Sequence, residues 1–269
     1  MRDTWLELVF FAAAAVSMVA GHGLPELASR GFEVTERGPG VVRVVTWNVG
    51  GAVGGKTHAL PESQLDHVAD VLRALDPDVV ALQELASDRQ AWSLIRRLGE
   101  GWDAVTARGS LAILARTAPT LERAGPSRGE RWMLARVEAR GHRLAVLNVH
   151  ASAFDADARN QTVGQATEAL LALDGGDARV LLGDLNLDVD LDKKRDLFSN
   201  RAHLDVETYN YIGGMLTDAA HGRGSTAEPD RRLDYVFTSP ESVVEAAGPW
   251  KGRRAGTMDH DPVVADVRP

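Results

Sequence analysis

The chain has 269 residues, 44% of them hydrophobic, and no cysteine, so it can bury a sizeable core but offers no disulfide, thiolate nucleophile or cysteine-ligated zinc. Its formal net charge of -8 and pI near 5.5 exclude an overall positive field, and strong electrostatic binding of nucleic acid is not expected. Phosphate chemistry confined to an active site stays open, because a bound cation would supply positive charge locally.

The first apolar stretch, Leu8 to Gly21, is shorter than the ~20 residues of a membrane-spanning helix and close to a signal-peptide core in length. Ala20 and Gly21 suit a cleavage site, whereas Arg2 set against Asp3 and Glu7 gives no positive start. Export, a packed N-terminal helix and an overcalled start therefore stand side by side. Localisation is open between cytoplasm and export, with membrane association through this end as one expectation. No Pro-, Gly- or Ser-rich linker and no internal repeat divides the rest. Residues 1–40 read as an extension and 41–269 as one domain, expected to be monomeric.

From residue 41 onward, short β-branched runs alternate with amphipathic segments. Strands are predicted at 41–47, 78–83, 143–149, 179–183, 234–239 and 262–267. Between the first two, Leu65, Val68, Ala69, Leu72 and Leu75 recur at helical spacing, with Ser63 as the expected N-cap and Pro77 as the stop. Residues 89–99 and 162–176 are two further helices. The pattern is α/β with much strand.

Each predicted strand carries a polar group at one end. Asn48 follows the first, Glu84 the second, His150 the third, and Asp184 with Asn186 the fourth; Asp234 opens the fifth, and Asp259 and His260 precede the sixth. If the last two strands run antiparallel to the first four, all these groups reach one edge of the sheets. Asp184 and Asn186 are two apart, so strand alternation leaves both on one face. Taken singly, each has a bland explanation: a turn asparagine, a solvated helix start, an Asx turn, a structural histidine. Their recurrence at six strand ends does not.

Hard oxygen donors without cysteine point to magnesium, manganese or calcium. Glu84 and Asp259 suffice for magnesium, which takes one or two carboxylates and fills the remainder with water and substrate phosphate. Asp234 can orient His260 and support its charged form. Asn48 and Asn186 can donate to phosphate oxygens or hold water. These are the parts of phosphate-ester hydrolysis. A serine hydrolase fits less well, since no G-x-S-x-G elbow is present. The stretch from Gly50 to Thr57 matches G-x-x-x-x-G-K-T, but Pro61 interrupts the helix a P-loop requires, and the match reads as coincidence.

The ordered motifs VVTWNVGG, DVVALQEL, LNVH, LLGDLN, RRLDYVF and MDHDPVVADV resemble the endonuclease/exonuclease/phosphatase superfamily of metal-dependent phosphoesterases over residues 41–267. The resemblance implies a four-layer α/β sandwich, two packed mixed β-sheets flanked by helices, and makes 41–269 the catalytic domain. It implies Mg2+ or Mn2+ as cofactor and a nuclease-type phosphodiesterase acting on nucleic acid through water. A phosphatase, a sphingomyelinase-like phospholipid phosphodiesterase and a non-catalytic module on a decayed enzyme are the alternatives. By motif, Asn48 resembles the phosphate-contacting asparagine beside the metal, and Glu84 the principal metal ligand. His150 resembles the transition-state-stabilising histidine, and Asp184 and Asn186 the pair that positions or deprotonates water. Asp234 and His260 resemble the Asp-His dyad, and Asp259 a second metal-site carboxylate; the base is either Asp184 or His260. Gly50 departs from the W-N-V-D-G form of apurinic endonucleases and puts that assignment in doubt. The segment 189–216, with Tyr209, Tyr211, Lys193, Lys194, Arg195 and Arg201, is expected to be either a substrate-facing insertion or a surface helix pair.

Overall fold

The structure is a computed structural model that describes residues 31–50, 59–107, 110–125, 131–190 and 204–269. The apolar stretch Leu8–Gly21, the glycine-rich loop beyond Gly50, and Lys193, Lys194, Arg195 and Arg201 lie outside the described residues. No helix among the described residues is long and apolar enough to cross a membrane.

All six predicted strands are present, and among the described residues six more accompany them. In chain order the elements are β1 (Val42–Asn48), α1 (Glu62–Leu75), β2 (Val79–Gln83), α2 (Asp88–Leu98), β3 (Asp103–Ala107), β4 (Leu111–Ala115), β5 (Thr120–Ala124) and β6 (Arg131–Ala139). There follow β7 (His142–His150), α3 (Ala156–Leu171), β8 (Ala178–Asp184), α4 (Leu204–Gly213), β9 (Thr217–Asp218), β10 (Asp234–Thr238), β11 (Val243–Pro249) and β12 (Val263–Arg268). One sheet runs β11-β12-β1-β2-β4-β3, the other β5-β6-β7-β8-β10-β9. β1 and β2 pair in parallel in the first, β7 and β8 in the second, while β12 and β10 run antiparallel to them. The strand directions needed to bring the polar ends to one edge are therefore met in both sheets.

Strict alternation builds the layers. Val42 and Val44 of β1 face the second sheet, where they meet Leu144 and Val146 of β7, Val180 and Leu182 of β8, and Val236 of β10. Val45 and Trp47 point the other way onto Leu65, Leu72 and Leu94 of α1 and α2. On the far side, Leu147, Leu181, Tyr235 and Phe237 pack under Val163 and Leu170 of α3 and Ile212 of α4. Central strands buried on both faces have no polar side to show, which is why they read as continuous apolar runs. The result is the four-layer sandwich, helices outside and two mixed sheets within.

Two details differ from the sequence expectation. α1 starts at Glu62 behind Pro61, which makes no side-chain cap, so Ser63 lies inside the first turn instead of capping it. Proline suits this boundary because the first helical N–H groups have no partner to lose. The segment 31–40, grouped with the extension by sequence, packs on the first sheet: Phe32 is buried in its helix-side core and its N–H donates to Pro249 O at 2.8 Å.

Candidate active site

The strand residues of the site lie on the inter-sheet face of their strands. Asn48 is in phase with Val42 and Val44, His150 with Leu144 and Val146, Asp184 with Val180 and Leu182, and Asp234 with Val236. Both sheets contribute, the first Asn48, Glu84, Asp259 and His260, the second His150, Asp184, Asn186 and Asp234. Each polar end thus continues the apolar seam between the sheets, up to the point where the seam opens.

Glu84 reaches the seam by breaking the rule. Gln83 faces the second sheet, so the next residue should face the helices; Glu84 instead adopts a left-handed backbone, φ 60°, and Leu85 takes the helix-side position. Such a φ costs a non-glycine residue roughly 1–2 kcal/mol and marks a position held by its surroundings. Gly50 makes room for it, since a Cβ there would collide with Glu84 Oε2. An aspartate at 50 is therefore incompatible with this placement of Glu84.

Asn48 clamps the two halves. Its Nδ2 donates to Glu84 Oε1 at 3.1 Å and to Asp184 Oδ2 at 3.0 Å, while its Oδ1 accepts from Gly50 N at 3.1 Å. His150 stands over the same pair, with Nε2 3.6 Å from Glu84 Oε1 and 3.9 Å from Asp184 Oδ2.

Asp184 and Asn186 come together by a turn, not by alternation along a strand. β8 ends at Asp184, Asn186 is left-handed with φ 51°, and its N–H donates to Asp184 Oδ1 at 3.0 Å. This is an Asx turn, and it aims the carboxylate. Asn186 Nδ2 donates to Ala151 O at 3.0 Å, so its amide braces the loop after β7. Gly183, just before Asp184, meets the Val149 backbone so closely that no Cβ fits.

The dyad is formed. His260 Nδ1 lies 2.7 Å from Asp234 Oδ2, which also accepts from Thr226 Oγ1 at 2.6 Å. Trp47 Nε1 donates to His260 O at 3.0 Å and fixes the residue from below. The other ring nitrogen, Nε2, stands 3.8 Å from Asp184 Oδ2 and 3.8 Å from Asp259 Oδ1. Burial alone would lower the imidazole pKa, but the Asp234 and Asp184 carboxylates outweigh it and raise it to about 10. Burial pushes the Asp234 carboxyl up in turn, opposed by the His260 charge.

Asp259 is half-exposed at the rim, with a side-chain exposure of 51%, against 14% for Glu84. Among the described residues, Asp184, Asp234 and His260 have one ligand atom each within 4.8 Å of the others. Asp234 and His260 already share a short hydrogen bond, and a protonated imidazole has no lone pair for a metal. Glu84 beside Asp184 is the better cation seat. No lysine or arginine among the described residues pairs with Glu84, Asp184, Asp234 or Asp259. Against one imidazolium these carboxylates leave an excess of hard, negatively charged oxygens, which fits a divalent cation.

One functional candidate was not read from the sequence. Arg131 opens β6 directly opposite His150, in phase with Met133 and Ala135 on the inter-sheet face. Its Nη1 bonds Ser110 Oγ, whose residue accepts from Leu85 N beside Glu84. Among the described residues no carboxylate partners it, and its buried Nε has no hydrogen-bond partner. The alternation in RWMLARVEA carried the signal, had that run been read as a strand.

The described part of 189–216 is a packing helix. Arg159 of α3 grips Asp205 of α4 at 2.8 and 2.9 Å, and the Tyr209 ring packs at a tilt against Tyr235 and Phe237. Tyr209 donates to Asp218 Oδ2 at 2.8 Å, and burial with that carboxylate pushes its pKa up to about 12. It also lines a cavity of about 480 Å³ with Asp190, His221, Ser225, Asp230 and Arg232.

A two-sheet sandwich with a carboxylate, amide and histidine cleft at one edge is the architecture of a phosphoesterase superfamily. Residues 45–252 match the family model described as Endonuclease/Exonuclease/phosphatase family, and the chain belongs to that family. Among solved structures, mannosyl-6-phosphatase Bt3783 of Bacteroides thetaiotaomicron is similar at a TM-score of 0.60 and 18% identity, over 84% of this chain and 99% of that one. The catalytic domain of human Nocturnin with a bound sulfate anion gives 0.61 and 17%, over 86% and 96%. D. rerio TDP2 complexed with single strand DNA product gives 0.58 and 15%, over 84% and 98%. At these identities the likeness is one of fold. No curated protein sequence matches significantly.

Proposed function

We infer that the chain is a divalent-metal-dependent phosphoesterase that uses water as nucleophile, acting as a nuclease-type phosphodiesterase. The observation that carries this reading is the acidic cleft: among the described residues, four carboxylates without an arginine or lysine partner, facing two histidines and the Arg131 guanidinium. A Mg2+ or Mn2+ ion held by Glu84, with Asp259 supporting from the rim through water, would polarise the phosphoryl oxygen and ease departure of the leaving group.

The protein groups divide the remaining work. Asp184 has Oδ1 on Asn186 N and Oδ2 on Asn48 Nδ2, which leaves each oxygen a further lone pair for the attacking water. His260, with its pKa at about 10, is charged at neutral pH and unsuited to be the base, which favours Asp184 for that role. Charged His260 and the neighbouring His150 donate to phosphoryl oxygens as negative charge develops, and Asp234 holds His260 in place. Arg131, directly opposite His150 on β6, adds a cationic guanidinium at the same edge to meet the developing charge.

A phosphatase acting on a small phosphorylated compound is the second reading, favoured by the polar cavity behind the dyad. Its wall includes Ser225, next to Thr226, which donates to Asp234. The deciding assay incubates the protein with bis(p-nitrophenyl) phosphate, p-nitrophenyl phosphate, single-stranded DNA, RNA, sphingomyelin and inositol phosphates, with Mg2+ or Mn2+ and with EDTA. Diester hydrolysis abolished by EDTA is expected. Monoester hydrolysis alone would select the phosphatase, and EDTA-insensitive turnover would remove the metal.

A further inference from the structure

Just beneath the cleft, the seam between the sheets stops being apolar. Thr46, Gln83 and Asn148 are buried there at 0% exposure, two, one and two residues before Asn48, Glu84 and His150. Asn148, from the second sheet, donates through Nδ2 to Leu82 O and Ala112 O of the first, each at 3.0 Å. Its Oδ1 accepts from Gln83 Nε2 at 2.8 Å, and the same Nε2 donates to Thr46 Oγ1 at 3.0 Å. The amide orientations are forced: carbonyls only accept, so Asn148 must turn its NH2 to them and its oxygen to Gln83.

Below this level the sheets touch through Val44, Ala81, Val146 and Leu182. Such contacts are non-directional, and they resist separation far better than a small slide. A slide matters here, because Asn48, Glu84 and His260 ride on one sheet and His150, Asp184 and Asp234 on the other. Hydrogen bonds of defined length and angle supply the missing direction.

We propose that Asn148 and Gln83 are positioning residues: their cross-sheet bonds hold the two halves of the active site in register. The proposal rests on the phosphoesterase reading for its catalytic consequence but not for its geometry. Neither side chain reaches the cleft itself. Asn148→Leu keeps the volume and removes all three bonds, and Gln83→Leu serves as a second variant should the first fold poorly. Leu144→Ala, at the far end of the same strand and in the same seam, is the control for destabilisation alone.

With bis(p-nitrophenyl) phosphate, a slip approaching 1 Å should lower kcat roughly 10- to 100-fold in Asn148→Leu, since misplacement of that size costs about that much. KM should stay within about twofold, and the Asn148→Leu, Gln83→Leu double variant should lose less than the product of the two single losses, because the Gln83–Asn148 bond is common to both. Leu144→Ala, at an equal or larger fall in melting temperature, should keep the wild-type kcat. Wild-type turnover in folded Asn148→Leu, or matching losses in Leu144→Ala, would overturn the proposal. Crystal structures decide the geometry independently of turnover: the β1 and β2 tips should shift against those of β7 and β8 in Asn148→Leu, and superimposable tips refute the positioning role. Should the wild type hydrolyse no phosphate ester, the functional reading fails and that crystallographic comparison alone settles the ladder.

Discussion

The two edges of the sandwich carry similar charges and treat them in opposite ways. At the edge away from the cleft, each buried carboxylate has its arginine. Asp266 holds Arg43 through two bonds of 2.7 Å, Asp78 takes Arg140 at 3.0 Å together with Arg37, and Asp177 takes Arg136 and Arg143 at 2.8 and 3.0 Å. At the cleft, among the described residues, the carboxylates of Glu84, Asp184, Asp234 and Asp259 meet amides, histidines and the Thr226 hydroxyl but no arginine or lysine. The paired edge is complete within the protein. The cleft edge leaves negative charge that a cation and a phosphate would complete, so the same residue type serves structure in one place and chemistry in the other.

The contrast breaks first at Asp184. Asp184→Asn should cut turnover by ~10²- to 10⁴-fold, the span of a lost general base, with the circular dichroism spectrum unchanged. If activity survives with wild-type kcat, Asp184 is not the base. Arg43→Met tests the other edge: it leaves Asp266 buried without its partner and should cost about 3–5 kcal/mol by urea unfolding. Turnover at low temperature should persist, and an equal loss of both would mean the edges are not separable.

Asn48→Ala releases the clamp on Glu84 and Asp184. A ~10- to 100-fold weaker Mn2+ affinity is expected, as for groups that orient metal ligands, and calorimetric titration measures it. Unchanged affinity would place the cation away from Glu84.

The smallest effect is confined to alkaline pH. His260 has a folded pKa of about 10, above the ~6.5 of an unfolded histidine, so its pairing adds stability that is full below ~6.5 and lost as pH rises through about 10. Asp234→Asn removes the partner that raises this pKa, so His260 sheds its proton at lower pH. The pH-rate profile should lose its alkaline limb earlier while the acid side stays in place. Coincident profiles would reduce the dyad to a structural bond.

Sequence alone determined much of this protein. Periodicity placed the six central strands, because strands buried on both faces must be continuously apolar, and the polar residues that end them stood out against that background. Alternation could not foresee Glu84, whose left-handed backbone turns it back into the seam, nor the Asx turn that joins Asn186 to Asp184. It also passed over β6 and with it Arg131, since a cation at the start of a strand looks like any solvated end until β7 places His150 opposite. Asn148 lay inside a quoted motif without a role, because its partners Leu82, Gln83 and Ala112 belong to another sheet. Period and motif are local properties of the chain. Which strand tips face one another, and which buried amide finds which carbonyl, is set by the packing of two sheets built from distant segments, and only the tertiary structure decides it.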